Sequence, residues 1–139
     1  MAAYNKFNVF TVDQAGAKHN FVSDTFKVVL TNSAPVAANA LLSDITDLTT
    51  SGGYTAGGTG SACTLSNASG VEKYVFAPVT FTATSGFGPF RYAVLYNFTQ
   101  ATPLKPLIQW ADYGAAVTLL AGETFTWTPD AAGGLFTVT

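Results

Sequence analysis

Between Pro78 and Trp127 the chain repeats a two-residue alternation and carries very little charge. Val79, Phe81 and Ala83 alternate with Thr80, Thr82 and Thr84. Phe90, Tyr92, Val94 and Tyr96 alternate with Arg91, Ala93 and Leu95, and Phe125 and Trp127 alternate with Thr124, Thr126 and Thr128. A period of two marks a pleated strand that turns one face to a core. The other face here is mostly threonine, where a free monomer usually carries lysine or glutamate to stay soluble. Such a pattern suits a β module built to be packed against something, and it points to an assembly component before an enzyme.

The length of 139 residues suits one domain, 1–139, with room for a core. Charged residues are 10% of the chain, well under the roughly one quarter of an ordinary domain. With a net charge of -2 and no basic cluster, nucleic-acid binding through phosphate neutralisation is not expected. The aromatics sit among threonine and alanine, so a single-strand stacking platform is not expected either. Cys63 is the one cysteine and His19 the one histidine. That leaves no intrachain disulfide and no ordinary zinc ligand set. Cys63 reads as a small strand hydrophobe. The glycines of 52–60 are not followed by Lys-Ser or Lys-Thr, so no phosphate loop and no cofactor is expected. No secretory h-region opens the chain, and no apolar run nears the roughly 18 residues that span a bilayer. A protein made in a cytosol, with no membrane partner, is the expectation.

Along the chain, Tyr4, Phe7 and Phe10 at spacing three suggest a helix, while Phe7, Val9 and Thr11 suggest a strand. Residues 1–22 are therefore expected to be a short helix or an arm. Phe26, Val28 and Leu30 give a strand over 25–31, closed by Asn32-Ser33-Ala34-Pro35. Leu41, Ile45 and Leu48, beside Asp44 and Asp47, predict a turn or two of amphipathic helix. The run from Ser51 to Gly60 predicts a surface loop with Tyr54 at its centre, a rigid ring suited to contact. Strands are then predicted over 61–67, 71–76, 79–84, 89–97, 106–112, 116–120, 123–128 and 134–139. The fold class expected is all-β: a single-domain sandwich or barrel of about eight to nine short strands. Phe26, Val28, Leu30, Phe81, Val94 and Phe125 are the expected core.

Candidate chemistry is sparse. Glu72, Asp112 and Glu123 fall on or near predicted strands, and two carboxylates facing each other across a cleft would suit a glycosidase. Asp112 is better explained by turn hydrogen bonds before Gly114. Arg91, the one charge in the densest strand, needs a carboxylate or an interface if buried. Asp112 and Glu123 could supply the carboxylate; a subunit contact is the alternative. No catalytic residue, metal ligand or cofactor site is expected.

Three segments carry a resemblance: Gly86-Phe87-Gly88-Pro89-Phe90-Arg91-Tyr92-Ala93-Val94-Leu95-Tyr96-Asn97, then Leu107-Ile108-Gln109-Trp110-Ala111-Asp112-Tyr113-Gly114, then Leu120-Ala121-Gly122-Glu123-Thr124-Phe125. Ser23-Asp24-Thr25-Phe26-Lys27-Val28 and Gly53-Tyr54-Thr55-Ala56-Gly57-Gly58 fit the same pattern. The chain resembles small structural proteins of tailed bacteriophages, the capsid decoration or cement proteins. The resemblance implies a virion location and a β-rich module bound to the outside of the shell. It implies the major capsid protein as partner and self-association, often as a trimer. The segments expected to reach the capsid are the arm around Tyr4 to Phe10 and the loop around Tyr54. Tyr4, Phe7, Tyr54, Arg91, Trp110 and Tyr113 are the expected contact residues. The rival reading is a tail or fibre module that stacks Tyr54, Trp110 or Tyr113 on a host glycan.

Overall fold

A computed structural model of the chain describes residues 3–129 and 136–138. The elements run β1 (Ala3–Lys6), α1 (Asn8–Ala15), β2 (Phe26–Thr31), a 3-10 turn at Leu42–Asp44, β3 (Thr59–Ser61), β4 (Cys63–Ala68), β5 (Val71–Phe76), β6 (Val79–Thr82), β7 (Phe87–Asn97), β8 (Leu107–Leu119), β9 (Thr124–Trp127) and β10 (Phe136–Val138). All described pairings of strands are antiparallel. A five-stranded sheet runs β1-β8-β7-β2-β3, a three-stranded one β10-β5-β4, and a two-stranded one β6-β9. The fold is all-β with one short helix, as the alternation predicts. The expectations for residues 1 and 2 and for both ends of the last strand lie outside the described residues.

The five-stranded sheet is covered on both faces, and this is where the core sits. Phe26, Val28 and Leu30 of β2, with Ala93 and Leu95 of β7, face Phe76, Val79, Phe81 and Trp127. Val29, Val94 and Tyr96 face the other way, with Phe7, Ile45, Leu107 and Trp110. That is why both sets of the β7 alternation are apolar: a strand buried on both faces reads as a continuous apolar run. Each fully buried Leu, Ile or Phe contributes about 1.5–3 kcal/mol. Of the expected core, Phe26, Val28, Leu30, Phe81 and Val94 are buried, and Phe125 is half-buried.

The ambiguity of the N-terminal segment resolves at Phe7. Its backbone is extended, with φ -74° and ψ 145°, so β1 ends there and α1 begins. β1 lies beside β8, with Tyr4 opposite Ala111, and the Phe7 N–H donates to the Ile108 carbonyl at 3.1 Å. The segment is a strand and a helix built into the fold; it is no free arm. Phe7 and Phe10 then anchor the two ends of the first helical turn in different apolar clusters.

The helix expected over 41–48 is a single 3-10 turn. Leu41 and Ile45 are both extended. The Asp44 carboxylate accepts the Ala40 and Leu41 N–H groups at 2.9 and 3.1 Å and so ties the turn to its own start. Ile45 is delivered to the second cluster, and the Leu48 N–H reaches the Leu30 carbonyl at 3.1 Å. The strands expected at 106–112 and 116–120 are one strand, β8, whose pairing with β7 has three irregularities. At the first, one step on β7 (Tyr96 to Leu95) matches two on β8 (Leu107 to Gln109). This β-bulge puts Leu107 and Trp110 in one cluster and Ile108 and Ala111 in the other. The second irregularity forms the site described next. β1 and β3 are additions that the alternation did not predict.

Candidate functional site

On β7, Phe90 and Tyr92 flank Arg91 alone, while their partners on β8, Val117 and Asp112, are separated by residues 113–116. The four residues opposite Arg91, Tyr113-Gly114-Ala115-Ala116, have no partner on β7 and form an exposed, uncharged arch within β8. Asp112 clamps its base. Arg91 Nε donates to Asp112 Oδ1 at 2.8 Å and Arg91 Nη2 donates to Oδ2 at 3.0 Å. The Gly114 N–H donates to the same Oδ1 at 2.8 Å. The paired guanidinium, and then the glycine N–H, hold the Asp112 carboxyl below its usual range. Arg91 also lies over the Tyr92 ring, 5.3 Å from its centroid. The ion pair is thus internal to the chain, the first of the two alternatives its position left open.

Tyr113 stands on this base 54% exposed. Its ring meets Phe125 edge-on, with centroids 5.4 Å apart, and Phe125 meets buried Phe90 edge-on at 4.9 Å. The ring is therefore exposed on one side and seated on the core by the other. On the face of β6 and β9 opposite Phe125, Thr80, Thr82, Thr124 and Thr126 are all exposed, and the Thr80 and Thr126 hydroxyls are hydrogen-bonded at 2.9 Å. Tyr4, opposite Ala111, ties this region together: its hydroxyl donates to the Thr128 carbonyl just past β9.

Three expected contact residues are not surface residues. Phe7 is fully buried and Trp110 is 9% exposed, because the two rings pack on each other with centroids 4.5 Å apart. Tyr54 is 2% exposed. Its hydroxyl accepts the Leu30 N–H at 3.1 Å and donates to Asp47 Oδ1. β3 pairs β2 only as far as Val28, so the phenol takes the place of the next strand at Leu30. Burial first, and then the Asp47 hydrogen bond, push the Tyr54 hydroxyl pKa up. The loop is pinned as well. The Gly57 N–H donates to Asp47 Oδ2 at 2.6 Å, and the Tyr96 hydroxyl donates to the Gly57 carbonyl at 2.7 Å. Burial pushes the Tyr96 hydroxyl up to about 12. The expected contact loop is in fact a structural wedge.

The carboxylates weighed as a glycosidase pair are each engaged locally. Glu72, on β5, accepts from Asn67 Nδ2 at 2.9 Å; Glu123, before β9, accepts the Leu120 N–H at 2.7 Å. Asp112 has both oxygens occupied by Arg91 and Gly114. His19 is buried beside Asn97, and its desolvation lowers its pKa to about 4. Its ring packs between Phe10 and Phe21, with centroids 5.5 and 5.8 Å away. Among the described residues no cluster of His, Cys, Asp and Glu is arranged to hold a metal ion, and no helix is long and apolar enough to cross a membrane.

Sequence reasoning missed a second exposed feature. Phe98, 40% exposed, lies beneath two lysines, with Lys27 Nζ 4.0 Å and Lys105 Nζ 5.1 Å from its ring centroid. Lys27 is far from Phe98 in sequence and is brought to it by the pairing of β2 with β7, while Lys105 returns to it through the turn in which its N–H donates to the Gln100 carbonyl. No protein-family model, curated protein or solved structure matches the chain.

Proposed function

We propose that this chain is a virion structural protein that decorates the outside of a tailed-phage capsid, docking through the arch at 113–116. The observation that carries this reading is a clamped, uncharged arch that presents an exposed tyrosine. A contact element already held in shape loses little conformational freedom on docking. Alanine is also less costly to desolvate than a charged side chain. Arg91 and Asp112 shape the arch from within. Many copies, each binding only the assembled lattice, stabilise that lattice by mass action. The aromatic seat of Tyr113 favours one rival: the same ring could stack on a sugar of a host glycan, as in a tail or fibre module.

The test is co-sedimentation with bare capsids. The full chain is expected to bind, and particles lacking it are expected to form yet break sooner on heating. Tyr113→Ala is expected to weaken binding by about tenfold or more, the loss typical of an aromatic anchor, with an unchanged unfolding midpoint. Failure of the full chain to bind capsids, together with binding to host polysaccharide, would move the assignment to the tail.

A further inference from the structure

Among the described residues, β4 presents an open strand edge. β4 and β5 form a hairpin in which Ala68 faces Val71 across Ser69 and Gly70, both with positive φ, 52° and 80°. The Ala77 N–H donates to the Ala62 carbonyl at 2.9 Å. That bond flanks the pair Cys63↔Phe76 and fixes the alternation of the ladder. Cys63, Leu65 and Asn67 are then the non-hydrogen-bonded positions towards β5. Their N–H and C=O groups point to the opposite edge, where no strand lies among the described residues and no described group bonds to them.

Open edges are normally blunted by lysine, proline, a bulge or a covering segment. β1 ends in Lys6, and β9 is followed by Tyr4 bonded at Thr128 and by Pro129. β4 has none of these devices: Cys-Thr-Leu-Ser-Asn-Ala carries no charge and no proline, and its register with β5 runs without a shift.

We propose that β4 pairs antiparallel with β4 of a second copy, about a two-fold axis at Leu65. A second copy is the occupant that meets this edge with one equally free of charge, proline and register shift. The outward positions 63, 65 and 67 are centred on 65, so an antiparallel copy matches 65 with 65, 63 with 67 and 67 with 63. Each match exchanges an N–H···O bond in both directions. Cys63 and Leu65 are half-buried and pack against the core with Tyr74, so their face continues as an apolar strip across the join. Thr64 and Ser66 are exposed on the other face, where 64 of one copy stands opposite 66 of the other. No charge within the strand opposes the approach. A strand pairing with itself is an isologous contact and closes at two copies. It is separate from the arch and does not depend on the capsid assignment.

The experiment is sedimentation velocity on the purified chain across a concentration series, with circular dichroism to confirm that each variant is folded. The wild-type chain is expected to pass from one to two copies as concentration rises. Thr64→Lys with Ser66→Lys sets lysine against lysine twice across the axis, and is expected to weaken the dimer by about tenfold or more. Thr64→Glu with Ser66→Lys sets glutamate against lysine at the same places, and is expected to restore it. Both side chains are exposed, so neither pair of changes disturbs the packing. A wild-type chain that stays monomeric to about 1 mM, a three-copy species, or equal weakening by both pairs would overturn the proposal.

Discussion

Tyr54 follows Gly53, Tyr113 precedes Gly114, and each has an aspartate nearby that also accepts a glycine N–H: Asp47 from Gly57 at 2.6 Å, and Asp112 from Gly114 at 2.8 Å. Yet Tyr54 is 2% exposed and Tyr113 is 54% exposed. The difference lies in what else the carboxylate holds. Asp47 still has an oxygen for the Tyr54 phenol, and the phenol fills a vacancy in the β2 ladder, so the ring is drawn inward. Asp112 is saturated by Arg91, and its neighbouring ring is left facing solvent. Glycine-rich composition does not distinguish a wedge from a knob. The distant partner of the acid does.

The sharpest way to break this contrast is to truncate the wedge. Tyr54→Ala should destabilise the fold by about 3–5 kcal/mol, the range for removing a large buried ring, read as a shift of the urea midpoint. A cost equal to that of Tyr113→Ala would collapse the distinction. Tyr54→Phe keeps the ring and removes the hydroxyl. The Leu30 N–H and an Asp47 oxygen are then left without their partner, and the expected loss is about 1–3 kcal/mol. Arg91→Ala should cost less than either, because its pair with Asp112 lies at the surface. Its signature should be local: faster hydrogen exchange at the Gly114 amide, with exchange at Gly57 unchanged. Equal acceleration at both amides would show that the two loops are not independently held.

The smallest expected effect is one of pH. Asp112 has a folded pKa below its usual value of 3.8. Its unfolded form therefore takes up protons first, so the clamp stabilises above the usual carboxylate range and loses that contribution as pH falls through the folded value. The stability difference between wild type and Asp112→Asn should shrink on going from about pH 6 to about pH 2. His19, whose folded pKa lies near 4 rather than 6.5, lowers stability over its own window as pH falls from 6.5. It does so in both proteins, and so drops out of the difference. A difference that stays constant with pH would mean that the arch does not depend on the charge.

The strands were legible where one side chain in two is apolar: β5, β6, β7 and β9 begin and end within two residues of where the alternation puts them. The double cover of the central sheet was also written there, in the apolar character of both Val94 and Tyr96 and of Ala93 and Leu95. The bulge at Ile108 and the arch at 113–116 were not legible, because both arise from a mismatch in length between β7 and β8, a property of the pair. Of the candidate site, Tyr113 and the Arg91 partner were recoverable. The burial of Phe7, Trp110 and Tyr54 was not, since an aromatic among small residues looks the same whether it docks outward or packs inward. What turned Tyr54 inward, the free Leu30 N–H and Asp47, lies 24 and 7 residues away.

The pinning of the 51–58 loop also bears on how such chains can diverge. A side chain at Gly58, where φ is +75°, would place its Cβ 1.8 Å from the Val28 carbonyl oxygen, and one at Gly52 would lie 1.8 Å from that of Gly86. Both obstacles are backbone, which no neighbouring substitution can clear. Gly70 has a similar φ with nothing within 4 Å, so asparagine fits there with little strain. As related chains drift apart, positions 52 and 58 should stay glycine after most of the surface has changed, while position 70 wanders. A distant cousin would then be recognised less by its aromatics than by two glycines a fixed six residues apart.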